Sequence, residues 1–282
     1  MEALIAAWRH LPSHITPWLF ELGGFQLRWY SLMYLAAFLC VYLLAMYRIK
    51  SEKLPYSAAL VQDFFTWAIF GIILGGRLGY VLFYNPGYYL QHPLEIILPF
   101  QFDGGIHFIG ISGMSYHGGV IGPLLAGIIF CWKRKIDFWA FADLFFSAAP
   151  LGYTFGRIGN FINGELYGRA TDVPWGMVFP LDPQHLPRHP SQLYEAFFEG
   201  IVLFVILWTI RKRFSFTGAI FALYIAGYGL IRFFLEFFRE PDSHLGFVFG
   251  PFSMGQLLCL AMVVTGAAIY RFRKNSVRKQ GQ

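Results

Sequence analysis

The chain has 282 residues, 56% hydrophobic, 20% aromatic and only 13% charged. A soluble domain carries roughly 25% charged residues, so a large water-facing domain is excluded. The net charge of +6 sits in short clusters between apolar runs, which is a topology signal and not a nucleic-acid-binding face.

In chain order, the first 17 residues, with Glu2 and a late Arg9, do not read as a cleaved signal peptide. Residues 30–47 form an uncharged apolar run and predict a first membrane helix. A second is predicted over 64–84, with Arg77 inside it, followed by a Pro-, Tyr- and Gly-rich irregular or interfacial segment over 85–105. Residues 118–132 predict a third helix. A fourth runs from Phe138 into a glycine-punctuated stretch at Gly156, and a polar, proline-rich connection covers 163–190. Helices five, six and seven are predicted over 191–210, 218–238 and 252–270. The fold class is therefore all-α, a polytopic membrane protein of seven helices forming one integral membrane domain over residues 1–282. Cys40, Cys131 and Cys259 all lie in apolar segments, with neither a disulfide framework nor metal-ligand spacing.

The basic residues set the expected orientation. Arg48, Lys50 and Lys53, the 133–135 cluster, the 211–213 cluster and the tail (Arg271, Arg273, Lys274, Arg278, Lys279) follow helices one, three, five and seven. Seven crossings put all four groups on one side, which the positive-inside rule makes cytoplasmic. The N-terminus is then outside, the C-terminus inside, and the 163–190 connection on the periplasmic side. These clusters hold 14 of the 22 basic residues and every lysine; the remaining eight are all arginine, and all belong to the outer half.

Arginine offers a rigid fork of donors suited to phosphate, whereas lysine is a point charge. A single arginine at this level is most simply a residue snorkelling to lipid headgroups or paired with an acid. As a set, Arg77 (seven residues, or about 10 Å, below the end of its helix), Arg157 and Arg232 point to a pocket for an anionic headgroup. His117 opens helix three, where an imidazole can exchange a proton near neutral pH; the bland alternative is an interfacial histidine beside glycine helix packing. Arg232, Glu236 and Arg239 are spaced by four and three, so they share a helical face, as catalytic groups or as an ion-paired ladder. Ser191 is a candidate cap for helix five, and Glu195, a turn inside the membrane, needs a partner. Asp143 lies in the inner half and reads as structural.

The stretch Gly156-Arg157-Ile158-Gly159-Asn160-Phe161-Ile162-Asn163-Gly164-Glu165-Leu166-Tyr167-Gly168 resembles the signature of the bacterial phosphatidylglycerol–prolipoprotein diacylglyceryl transferase family. The resemblance extends to Arg28-Trp29-Tyr30, Gly75 to Tyr80, His117-Gly118-Gly119, His189 to Glu195, and Arg232 to Asp242. Tyr167 stands where tryptophan is expected and Val120 where leucine is expected; both keep apolar bulk. The resemblance implies transfer of a diacylglyceryl group from phosphatidylglycerol to the lipobox cysteine thiol of a prolipoprotein signal peptide. A thioether forms and glycerol 1-phosphate leaves. It also implies a multi-pass protein of the bacterial cytoplasmic (inner) membrane, among membrane lipids, with its active site in the periplasmic half. Roles are implied for Tyr30, His117, Arg157, Asn160, Glu165, Gly168, Arg232, Glu236 and Arg239.

For that chemistry, Arg157 and Arg232 are expected to clamp the phosphate, with Asn160 and Tyr30 bonding the headgroup. His117 is the first candidate for the base, with Glu165 or Glu236 as alternatives that could instead orient an arginine. Arg239 and Arg77 are expected to keep the pocket positive or to pair with Glu236 and Glu195. No cofactor or metal is expected. A transporter of anionic solutes is the main competing class, but neither an internal repeat nor a midplane site is evident. A non-catalytic lipid receptor would keep the arginines without needing His117.

Overall fold

The computed structural model describes residues 2–23, 25–98, 100–101, 107–108, 113–240, 247–249 and 252–280. Asp242 and the end of the 85–105 segment lie outside them. The chain divides into two compact units, residues 1–51 with 142–282, and residues 52–141. Both are largely α-helical.

The first unit begins with α1 (Glu2–Arg9) and a hairpin of β1 (Trp18–Leu22) on β2 (Phe25–Arg28), which leads into α2 (Trp29–Glu52). Leu35, Leu39 and Leu43 recur every four residues along α2 and are exposed, while Ala45 and Arg48 are buried. An apolar outer face over a partly polar inner one suits a helix facing lipid. Among the described residues, four helices are long and apolar enough to cross a membrane: α2, α3 (Ala58–Tyr84), the composite helix Ser191–Ile210, and the 254–277 part of the last helix. Other predicted crossings are shorter helices, α5 (Tyr116–Arg134) and Ala219–Leu235 among them.

In the second unit, α3 is followed by a short helix, α4 (Pro86–Gln91), and packs on α5 through glycines one turn apart. A Cβ on Gly71 would stand 2.8 Å from the Gly122 carbonyl oxygen, and Gly75 and Gly118 meet in the same way. The backbones touch because no side chain separates them, as small residues permit in membrane helices. Gly118, directly after His117, is thus a helix-packing residue, whereas a Cβ on Gly119 would meet nothing within 4 Å. Replacing Gly122 by valine should cost about 1–3 kcal/mol, read as a lower unfolding midpoint in detergent; an unchanged midpoint would contradict this contact.

The predicted fourth helix is broken. It splits into α6 (Phe138–Phe146) and α7 (Ala149–Asn163). Pro150 in the first turn of α7 has no N–H to continue the ladder from α6. Ser147 turns its hydroxyl to the Leu144 carbonyl (3.0 Å), and Arg48 donates to the Asp143 carbonyl (2.7 Å) and to Ser147 Oγ (3.0 Å). Asp143 is a helix cap: its carboxylate accepts from the Gly218 and Phe221 amides, both at 2.8 Å, at the start of the Ala219–Leu235 helix.

The predicted fifth helix is continuous but not uniform: α8 (Ser191–Glu195), a π-helical stretch (Ala196–Val202), then α9 (Leu203–Ile210). Ser191 does not cap it; its hydroxyl donates to the Leu166 carbonyl (2.9 Å). Gly200 lies against Thr154 of α7 with no room for a Cβ, and Thr154 Oγ1 donates to the Ala196 carbonyl (3.2 Å). After α10 (Ala219–Leu235), α11 (Met254–Gln280) starts two residues later than expected, because Phe252–Ser253 pairs with Phe247–Phe249.

Candidate active site

The site in the first unit is built by α7, the α8–π stretch and α10. Helix α7 ends in a Schellman turn at Gly164, φ +71°: the Gly164 amide donates to the Phe161 carbonyl (3.0 Å) and the Glu165 amide to the Asn160 carbonyl (3.1 Å). A left-handed residue is needed there, and glycine adopts it without strain. The turn folds Glu165 back, so that Glu165 Oε1 accepts from Asn160 Nδ2 (2.8 Å) and Asn163 Nδ2 (3.2 Å). Asn160 Oδ1 in turn accepts from Arg157 Nη1 (3.3 Å), and the Tyr30 hydroxyl lies near Asn160. Glu165 therefore reaches Arg157 through Asn160 in a directional chain.

Arg157 faces the carboxylates of the next helix. Its Nε lies 2.8 Å from Glu195 Oε2 and donates to the Tyr153 hydroxyl (2.6 Å). Arg232 of α10 approaches Glu195 Oε1 at 2.8 Å, Glu199 Oε1 at 3.5 Å and Glu236 Oε2 at 3.5 Å. Arg239 stands 3.6 Å from Glu195 Oε1 and 3.8 Å from Glu236 Oε2. Glu195 is 1% exposed and Glu199 is not exposed at all. The Tyr153 hydroxyl donates to Glu199. Glu195 is thus shared by three guanidinium groups, yet its contacts are out of line for hydrogen bonds. Its lone pairs are held by charge, not by a fitted fork, so the arginines keep donors for another oxyanion.

Arg157, Arg232, Arg239, Glu195 and Glu236 thus come together, with Asn160, Glu165 and Tyr30 adjoining. Gly168 sits beside them as a backbone joint. Its amide donates to the His189 carbonyl (2.8 Å), it bridges to Arg239, and it lies against the Phe238 carbonyl where a Cβ would clash. Arg77 and His117 belong to the second unit. Arg77 Nε donates to the Ile96 carbonyl (2.9 Å) and its Nη2 to the Glu95 carbonyl, so much of its fork is spent on backbone. His117 lies in the first turn of α5, behind Ser115, whose Oγ accepts from the Gly118 amide (3.3 Å).

Neither Tyr153 nor Glu199 is among the sequence candidates. Glu199 follows Glu195 by four residues within an apolar run, and an intramembrane carboxylate is itself a functional signal.

The 163–190 connection has its own polar core. Arg188 donates to Asp182 Oδ2 (2.8 Å), Asp182 Oδ1 (2.9 Å) and Gln184 Oε1 (2.8 Å), and contacts Glu240 at 3.0 Å. The Arg188 guanidinium holds the Asp182 carboxyl below its usual range. A lowered carboxyl contributes stability at neutral pH that is lost as pH falls through its folded value. Asp182→Asn should therefore destabilise the connection by about 3–5 kcal/mol at neutral pH, read as faster proteolysis there. The difference from wild type should shrink below about pH 4; equal rates at neutral pH would contradict the pairing.

A family model described as prolipoprotein diacylglyceryl transferase matches residues 17–272. The chain belongs to the prolipoprotein diacylglyceryl transferase family. Among relatives of this transferase family, the chain is 54% identical over 268 residues to the phosphatidylglycerol–prolipoprotein diacylglyceryl transferase of Chlorobaculum tepidum, covering 95% of this chain and 93% of the relative. It is 49% identical to the protein of that name from Wolinella succinogenes, over 91% of this chain and 93% of the relative. The corresponding Azospirillum brasilense protein is 51% identical, over 89% and 92%.

Proposed function

We propose that the chain transfers the diacylglyceryl group of phosphatidylglycerol to the lipobox cysteine of prolipoproteins, and that the Arg157–Glu195–Arg232 cluster is its headgroup site. The observation that carries this assignment is the convergence of three arginines on one buried carboxylate, in a chain of this transferase family. The protein works as a multi-pass protein of the bacterial inner membrane. Seven crossings in one integral membrane domain, with the site in the periplasmic half, agree best with the four basic clusters.

The chemistry is a displacement at carbon. The thiolate forms the S–C bond, the glycerol C–O bond breaks, and the electron pair stays on the phosphate oxygen. A phosphodiester with one negative charge becomes a monoester that carries close to two at neutral pH. Arg157 and Arg232 stabilise that developing charge, which is where fixed donors contribute most. Tyr30 and Asn160 orient the headgroup, and Glu165 fixes Asn160. Arg239 and Glu236 complete the charge lattice, and Gly168 leaves room at its edge. The nucleophile comes from the substrate: Cys131 and Cys259 are buried thiols.

The thiol must lose its proton, since a free thiol titrates near pH 8.5. His117 is the proposed base, with Arg77 bonded to the backbone of the segment before it. His117→Gln should lower the rate about 100-fold or more while leaving lipid affinity in place; normal transfer between about pH 6 and pH 8 would make His117 structural. The function itself is tested by incubating purified protein with labelled phosphatidylglycerol and a lipobox peptide. A thioether-linked labelled peptide is expected; binding or transport of label without that product would overturn the assignment.

A further inference from the structure

The three arginines of the headgroup cluster are balanced by the three carboxylates they touch before any lipid binds. Among the described residues, Arg157, Arg232 and Arg239 face Glu195, Glu199 and Glu236. Adding a phosphodiester anion leaves one uncompensated negative charge in an apolar setting, which is costly. Either a carboxylate leaves or one takes a proton. Leaving is blocked for Glu195 and Glu199, which are buried and anchored in the helix packed on α7. The three acids are not equivalent. Glu195 contacts three arginines, and Glu236 contacts two and accepts from Ser253 Oγ (3.4 Å). Glu199 has only Arg232, at 3.5 Å, and is the most deeply buried of the three. The titratable and charged groups facing Glu199 are Tyr153 and Arg157 from α7, Tyr228 and Arg232 from α10, Cys259 from α11, and Glu195 on its own helix.

We propose that Glu199 is the proton-accepting counter-charge of the headgroup site, taking up a proton from solvent when the lipid phosphate binds between Arg157 and Arg232. The proposal rests on the assignment of this cluster as the headgroup site. No bond other than O–H is made: the proton comes from buffer, the cluster stays neutral overall, and Arg232 is released from Glu199 towards the phosphate. The Tyr153 hydroxyl, already on Glu199, stays as its hydrogen-bond partner.

The test is calorimetric binding of short-chain phosphatidylglycerol to the full chain in detergent, without peptide, in two buffers of different ionisation enthalpy. Wild type should take up close to one proton on the alkaline side. Its affinity should fall as pH rises from about 6 to about 9, approaching about tenfold per pH unit, the slope of a single linked proton. Glu199→Gln should bind with no proton uptake and no such slope, and should exceed wild type at the alkaline end. Glu199→Asp keeps a titrating acid and should keep the slope. Absence of proton uptake by wild type overturns the proposal whatever the variants do, and so does an unchanged slope in Glu199→Gln. Arg157→Lys separates the two levels: if it binds lipid as wild type does, the headgroup assignment fails; if it loses binding while Glu199→Gln keeps the slope, only the proton role fails.

Discussion

Arg157→Lys is expected to lower the rate of transfer by about 100-fold or more, the effect of removing one oriented donor from a developing oxyanion. That corresponds to about 2.7 kcal/mol of transition-state stabilisation. The reason is geometric. Arg157 uses Nε on Glu195 and Tyr153 and Nη1 on Asn160, so its remaining donors are aimed by three fixed partners. An ammonium group can satisfy Glu195 or reach a phosphate, but it has no fork with which to do both. The loss should fall on lipid binding as well as kcat, with little change in the unfolding midpoint, because the positive charge beside Glu195 is retained. A lysine variant with near-normal transfer would remove Arg157 from the clamp.

Glu195→Gln is expected to be the most destabilising single change in the cluster. Breaking a buried ion pair by removing one partner costs about 3–5 kcal/mol, because the other charge stays behind unpaired. Here two guanidinium groups lie 2.8 Å from the same carboxylate, and a third lies at 3.6 Å. Glutamine preserves shape but leaves Arg157 without its carboxylate and Arg232 with only the longer contacts to Glu199 and Glu236, both at 3.5 Å. The unfolding midpoint should drop and transfer should be lost even at saturating lipid. A variant as stable and active as wild type would show that Glu195 does not hold the arginines. Glu199→Gln, which removes one contact at 3.5 Å, should be much milder, and the contrast between the two variants tests the asymmetry of the lattice.

Helix existence was legible because apolar runs bounded by charge leave few alternatives. Trp29–Glu52 and Ala58–Tyr84 are longer forms of the runs at 30–47 and 64–84. The break between α6 and α7 was not, since hydropathy is continuous across Ser147 and Ala148; Pro150 was the available signal. The π stretch had no comparable signal, because it depends on how Gly200 meets Thr154 across helices. At the site, the arginines stood out in the sequence and the pairing of Arg239 with Glu195 and Glu236 was one of two alternatives, but the sharing of Glu195 with Arg157 and Arg232 was not readable. Glu165 is nearer Arg157 in sequence, yet Glu195 is the carboxylate that touches it. Of the two alternatives left for Arg239, a positive pocket or pairing with Glu236 and Glu195, the structure has the pairing; Glu199 was the acid not counted. Pairing across dozens of residues is set by packing, which local spacing does not encode.

With Arg157 and Arg232 as the clamp, the phosphate of phosphatidylglycerol is expected between the two guanidinium groups. The most direct test is a structure of the full chain with phosphatidylglycerol bound. The phosphate should lie within hydrogen-bond distance, about 2.7–3.2 Å, of guanidinium nitrogens of both arginines. A phosphate held elsewhere, with Arg157 and Arg232 still closed on Glu195 and making no contact to lipid, would contradict the account.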